Sequence, residues 1–205
     1  GGRFQQLEAG QPPDAQGGWG FCLGAVHDVT LEPIAQAQEA AATKTFQEVY
    51  PDAASFDEPQ ELADAVAAAA DSVSEWGYGK VTINDAKEAL DASGNKIGYL
   101  ITSTSAESYG GNVQIAVGIS NEGELTGIGF LSISDTPGLG MRANTDAFKD
   151  QFKDKKVDKF EYTKTGATAD NQIDALSGAT ITTNAMTNGV NAGLCAFQYE
   201  KGGNQ

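Results

Sequence analysis

Histidine occurs once in this chain, at His27, and cysteine twice, at Cys22 and Cys195. Ser–His or Cys–His catalysis would rest on one imidazole in a compositionally odd N-terminal stretch, and a metal site built from several imidazoles is excluded by count. The two cysteines stand far apart and outside any Cys-x-x-Cys spacing, so they read as two unrelated buried thiols and not as a disulfide. Positive charge is scarce: 13 Lys plus Arg face 28 Asp plus Glu, a formal net charge of −15. A phosphate polyanion or an anionic bilayer surface meets a repulsive field, which argues against nucleic-acid binding and against peripheral attachment to anionic lipid. No apolar run approaches the roughly 18 residues that a membrane-spanning helix needs, and no complete signal peptide is visible.

What is present suits one domain. At 205 residues and 40% hydrophobic content the chain is long enough to bury a substantial core. Residues 1–20 are rich in Gly, Gln and Pro, and Gly20–Val26 is an apolar fragment too short to span a bilayer. Residues 1–27 therefore read as a flexible or atypical N-terminal segment, 28–200 as the domain, and 201–205 as a tail. A helix is expected from Leu31, with Ile34, Ala37, Ala41 and Thr45, flanked by Ala42, Phe46 and Val49, on its mostly apolar face and a stop at Tyr50-Pro51. Pro59 is expected to open a second helix carrying Leu62, Val66, Ala69 and Val73 on one stripe. The period then changes to two. Ile97, Tyr99 and Ile101 alternate with other residues, as do Val113, Ile115, Val117 and Ile119, with turn signals at Asp91–Asn95 and Asn121–Gly123. Residues 81–133 thus predict an antiparallel meander. Asp146–Phe152 reads as helix, Phe160–Tyr162 as a strand, and Ser177–Tyr199 as a long helix. The fold class expected is α+β, an antiparallel sheet flanked by helices.

Two segments carry chemistry. In Asp135-Thr-Pro-Gly-Leu-Gly140, Pro137 restricts φ while Gly138 and Gly140 open conformations closed to other residues. Such a loop lets a flat ligand approach the main chain, although a tight surface turn has the same composition. In Asp174-Ala-Leu-Ser-Gly-Ala-Thr-Ile-Thr-Thr183, Ser177 is a candidate N-cap, followed by the small residues Gly178 and Ala179 and the hydroxyls of Thr180, Thr182 and Thr183. A helix N-terminus accepts a phosphate without a basic residue. A Ser-capped helix with threonines in its first turn would look the same.

Taken together, the two segments resemble the FMN-binding domain of the G subunit of the Rnf ion-translocating electron-transport complex, and of its relative, the C subunit of the sodium-translocating NADH:quinone oxidoreductase. The family pattern Asp-x-x-Ser/Thr-Gly-Ala-Thr/Ser is met at every fixed position of Asp174–Thr180. A Gly-rich Tyr segment (Ser108-Tyr109-Gly-Gly111) and the Asp135–Gly140 loop stand in the family order. The resemblance spans roughly Asp28 to Tyr199.

That resemblance implies a covalent FMN, held by a phosphoester to Thr180. It implies that Ser177, Gly178, Ala179 and Thr183 surround the attachment, and that Thr136, Pro137, Gly138, Leu139 and Gly140, with Tyr109, lie against the isoalloxazine ring. Asp174 is then a recognition residue for the flavin transferase that makes the bond from FAD with a divalent metal. The implied function is an electron carrier passing electrons between flavin and iron–sulfur carriers in an ion-translocating oxidoreductase, without substrate turnover of its own. The alternatives are a covalent-FMN protein of another extracytoplasmic electron chain, a quinone-reductase C-type subunit, or a non-redox binding module. The implied partners are the other subunits of a membrane complex and the transferase. The implied location is the extracytoplasmic membrane face, with a single N-terminal anchor ahead of Thr30–Pro33, where this sequence is instead Gly-rich and polar.

Overall fold

A computed structural model describes residues 37–134 and 140–202. The chain divides into two units, Gly1–Ala40 and Ala41–Gln205. Of the first only residues 37–40 are described, and they are helical. The start of the first expected helix and the reading of residues 1–27 lie outside the described residues.

The period-two segments form the centre of the second unit. Strands β1 (Ser55–Asp57), β2 (Val81–Leu90), β3 (Lys96–Ser108), β4 (Gly111–Ser120) and β5 (Leu125–Ile133) make one antiparallel sheet in that order. The expected turns close its hairpins, with Gly94 at φ +81° and Gly123 at φ +86°, conformations that favour glycine. Leu100 and Ala116 face Val49 at the end of α1, residues 37–49, on one side of the sheet. Tyr99, Ile101, Val113, Ile115 and Val117 face the other side, where the main core lies. That side is covered by α2 (Gln60–Ser72), which buries Leu62 and Ala69, and by α4 (Thr180–Gly202). The architecture is the α+β arrangement expected.

Helix α4 is buried on almost all sides from Thr182 to Phe197, as expected of a helix with no wholly polar face. It runs antiparallel to β3: Thr182 meets Ser108, Gly189 meets Ser103 and the Phe197 ring meets Tyr99 at 5.6 Å. Gly189 permits this approach, because a Cβ there would stand 2.7 Å from Ile115 Cδ1. The N-terminus of α4 therefore lies at the sheet end that carries the β3–β4 turn, and this places the site.

The structure corrects three local readings. First, α4 starts at Thr180 and not at Ser177, because Gly178 at φ +76° leaves the right-handed path; Ser177 and Gly178 form a turn and Ser177 does not cap the helix. Second, helix α3 covers only Asp146–Lys149, and the chain then turns through Phe152 and reaches Asp154 at φ +56°. Third, the expected strand at Phe160–Tyr162 is Glu161–Thr163 (β6), which pairs in parallel with Gln172–Asp174 (β7); neither β7 nor β1 carries a pattern that the sequence reveals. Asn191 fixes this region to α4: its amide oxygen accepts the Phe160 N–H at 2.7 Å and its Nδ2 donates to the Phe160 carbonyl at 2.9 Å.

Candidate functional site

The Asp174–Thr183 segment leaves β7 at Asp174. Gln151 brackets that residue, its Oε1 accepting the Asp174 N–H at 2.6 Å and its Nε2 donating to the Asp174 carbonyl at 3.5 Å. The Asp174 carboxylate is exposed and accepts the Ala167 N–H at 2.6 Å. A turn follows, closed by Ala179 N–H donating to the Leu176 carbonyl at 2.9 Å, and α4 begins at the next residue. Ala179 occupies the flanking position and has no side-chain acceptor. Thr183 works instead from inside the helix, where it is fully buried. Its hydroxyl accepts the Leu176 N–H at 3.1 Å and donates to the Ala179 carbonyl at 2.9 Å.

An open cleft of about 390 Å³ lies against this helix end, lined by Tyr109, Gly178, Ala179, Thr180, Ile181 and Thr182. None of these side chains is charged. Tyr109 and Ile181 are 67% and 57% exposed, unusual values for large hydrophobic residues in this fold, and an exposed aromatic beside an exposed aliphatic side chain suits a flat apolar ligand. The amides of a first helical turn have no intrahelical acceptor, and the helix dipole adds partial positive charge. Thr180 brings its hydroxyl to that place and is partly exposed. Thr182 is buried and takes a hydrogen bond from Ser108 Oγ at 3.3 Å, which ties the Tyr109 turn to α4. The residues thus fit a phosphate at the helix end and a flat ring along the cleft. A wider cleft at the opposite end of the sheet has four carboxylates, Asp52, Glu122, Glu124 and Asp154, against one cation, Lys153, among its lining residues, a balance that disfavours a phosphate.

The sequence-predicted residues divide in space. Tyr109, Gly178, Ala179 and Thr180 share the cleft. Ser177 is exposed on the turn beside it, and Thr183 lies beneath the turn. Thr136, Pro137, Gly138 and Leu139 lie outside the described residues. The chain reaches that segment from Ser134, whose N–H donates to the Asn112 carbonyl at 3.2 Å, and resumes in a 3-10 turn, Gly140–Ala143. From this turn Arg142 Nη1 donates to the Ser177 carbonyl at 3.2 Å. Thr182 and Ser108, named in the motif segments but given no contact role, meet beside the cleft, and Ile181, Gln151 and Arg142 join the site without having been expected from the sequence. Of these last three only Ile181 carries a signal, as an apolar residue between hydroxyls. Cys195 is a free thiol 3.4 Å from the Tyr78 hydroxyl; burial pushes it up from its ordinary value, which leaves little thiolate at neutral pH. Among the described residues no acidic, His or Cys cluster could hold a metal, and no helix is long and apolar enough to cross a membrane.

Comparison with known proteins gives the family. The FMN-binding domain family matches residues 108–194, from the Tyr109 turn through most of α4. The G subunit of the Na(+)-translocating ferredoxin:NAD(+) oxidoreductase complex of Acetobacterium woodii is 32% identical over 184 residues, covering 86% of this chain and 83% of that protein. The G subunit of the proton-translocating ferredoxin:NAD(+) oxidoreductase complex of Clostridium ljungdahlii is 35% identical over 122 residues, which cover 54% of this chain and 65% of that one, just under two thirds of its length. Among solved structures, that of Shewanella oneidensis NqrC aligns with a TM-score of 0.47 at 16% identity, over 75% of this chain and 74% of that one.

Proposed function

Since the chain belongs to the family of G subunits of ion-translocating oxidoreductase complexes and carries their FMN-binding domain, we propose that it is the electron-carrier subunit of such a complex, with one FMN esterified to Thr180. The observation that carries this reading is the position of Thr180. It combines a partly exposed hydroxyl, the first position of a buried helix, and a wall of the uncharged cleft.

Each residue has a stated task. Gly178, Ala179 and the first-turn amides of α4 hold the phosphate, the helix dipole offsetting its charge in a chain that is otherwise strongly acidic. Tyr109 and Ile181 offer apolar surface to the ring, joined from the neighbouring loop by Thr136–Gly140. FMN supplies one- and two-electron transfer when bound, and attachment through the phosphate leaves the ring chemistry intact. Loading is the work of a flavin transferase. Thr180 Oγ1 bonds to the flavin-side phosphorus of FAD, the pyrophosphate P–O bond breaks, AMP leaves, and the hydroxyl proton passes to a base of the transferase. The extracytoplasmic membrane face and iron–sulfur redox partners belong to the same proposal; a tethered cofactor is retained where free FMN is scarce.

The test is intact mass after co-expression with an active transferase. The expected gain is one FMN less one water, mapping to the peptide with Thr180. An unmodified chain beside a modified control substrate would overturn the reading.

Asp174 has both a structural and a recognition task, and two substitutions separate them. Asp174→Asn keeps an acceptor for the Ala167 N–H and is expected to hold stability within about 0.5 kcal/mol, while Asp174→Ala loses that bond and about 0.5–1.5 kcal/mol. Both are expected to slow flavin attachment, because both remove the charge. Urea midpoints and a time course of in-gel fluorescence check this. Normal loading of Asp174→Asn would confine Asp174 to the fold.

A further inference from the structure

Three threonines open α4 within four residues, and their surroundings differ. Thr180 and Thr182 line the cleft, and Thr182 is buried and bonded to Ser108. Thr183 does neither. It is fully buried, and both of its described side-chain bonds return to the segment just upstream of Thr180. The Ala179 carbonyl receives two bonds from this one residue, from its backbone N–H and from its hydroxyl, each at 2.9 Å. The Leu176 N–H is held by the same hydroxyl at 3.1 Å. One side chain thus clamps both ends of the turn Leu176–Ala179, whose interior holds Gly178 at φ +76°. Glycine is the residue least able to hold a single backbone conformation unaided, so the turn depends on what grips its ends.

We propose that Thr183 is a positioning residue for flavin attachment: its buried hydroxyl locks the turn before Thr180 and so fixes the direction in which the Thr180 hydroxyl is presented. The proposal rests on Thr180 being the acceptor. An attacking oxygen must meet phosphorus opposite the leaving group, and small misplacements of a reacting atom cost rate steeply. Thr183 does not line the cleft, so it acts through the backbone and not on the ligand. From outside the turn, Arg142 grips the Ser177 carbonyl, but its side chain is exposed and holds only that one point. The internal clamp is the more rigid of the two.

The experiment compares Thr183→Val, which keeps shape and removes the hydroxyl, with Thr183→Cys, which keeps volume and weakens both bonds, and Thr183→Ser, which restores them. The full chain is loaded by purified transferase with FAD and Mg²⁺ well below each variant's melting temperature, over a range of carrier concentrations. Amide exchange at Leu176 is followed in the unloaded protein. The expected result is a fall in kcat for loading of about tenfold or more in Thr183→Val, with KM little changed. Thr183→Cys is expected to show a smaller fall, and Thr183→Ser a recovery. Leu176 exchange should quicken in the same order. A folded Thr183→Val loaded at the wild-type kcat overturns the proposal, as do equal rates for Val and Ser. If Val prevents folding, Cys against Ser decides by the same criterion. Thr180→Ala runs alongside: flavin retained there would remove the premise, whereas no flavin there with full-rate Thr183→Val removes the clamp alone.

Discussion

Thr180→Ala is expected to give a protein without in-gel flavin fluorescence after denaturing electrophoresis, even beside an active flavin transferase, while Thr180→Ser keeps the signal. The effect is complete loss, because the bond forms at one oxygen and the neighbouring hydroxyls are not placed to replace it. Thr182 is buried against Ser108, and Thr183 lies under the turn with its hydroxyl engaged at both ends. Thr180 alone of the three is not fully buried. The substitution is mild for the fold: alanine is the best helix former, and a partly exposed first-turn position costs within about 0.5 kcal/mol. Loss of fluorescence with an unchanged urea midpoint therefore isolates the chemistry. Thr182→Ala is expected to retain fluorescence. Signal surviving in Thr180→Ala and vanishing in Thr182→Ala would move the attachment to the other hydroxyl.

The largest expected loss of stability follows Phe152→Ala. Phe152 is fully buried and meets Phe148 edge-on at 5.6 Å and Phe160 at 5.0 Å. Removing such a ring costs about 3–5 kcal/mol, the transfer of the lost atoms plus the cavity they leave, and edge-to-face pairs add about 0.5–1.5 kcal/mol beyond area. Against a total of about 5–15 kcal/mol for a domain, much of the protein's stability would be gone. The loss also reaches the site. Gln151, the neighbour of Phe152, brackets Asp174, and Asn191 holds the backbone of Phe160 to α4. Urea unfolding of the unloaded protein measures the first effect, and the loading rate under folded conditions measures the second. A loss below about 1 kcal/mol would show that the surrounding side chains collapse into the space.

The two effects separate a chemical position from a structural one, and the same division runs through what is legible in the sequence. The meander is readable because alternation and glycine turns are local: Val113 to Ile119 alternates whatever packs above it, and Gly123 turns the chain from its own φ. Helix α2 is readable from its stripe and from Pro59, which occupies the position just before it. The short strands are not. Three residues of β6 or β7 contain no period, and their parallel pairing joins segments separated by a loop, which no local pattern encodes. The start of α4 is misplaced by the sequence pattern for a related reason. Ser177 has the chemistry of a cap, but Gly178 adopts a positive φ and α4 starts three residues later, while Thr183, inside the first turn, bonds the turn that precedes the helix.

The candidate site shows where the boundary falls. Residue identity by itself determined the sheet and the family to which the chain belongs, because alternation is local and a family motif needs particular residue types at fixed spacing along the chain; it also singled out the Asp174–Thr180 segment as the proposed attachment site. Only the tertiary structure decided that Thr180 and Thr182 line the cleft with Thr180 the more exposed, that Tyr109 and Ile181 form its apolar rim, and that Gln151 and Thr183 hold the backbone on either side of Leu176. Spacing along a helix gives the angles between Thr180, Thr182 and Thr183, but not their common rotation about the helix axis. That rotation is set by Gly189 seating α4 on Ile115 and Ser103, a contact between residues far apart in the chain.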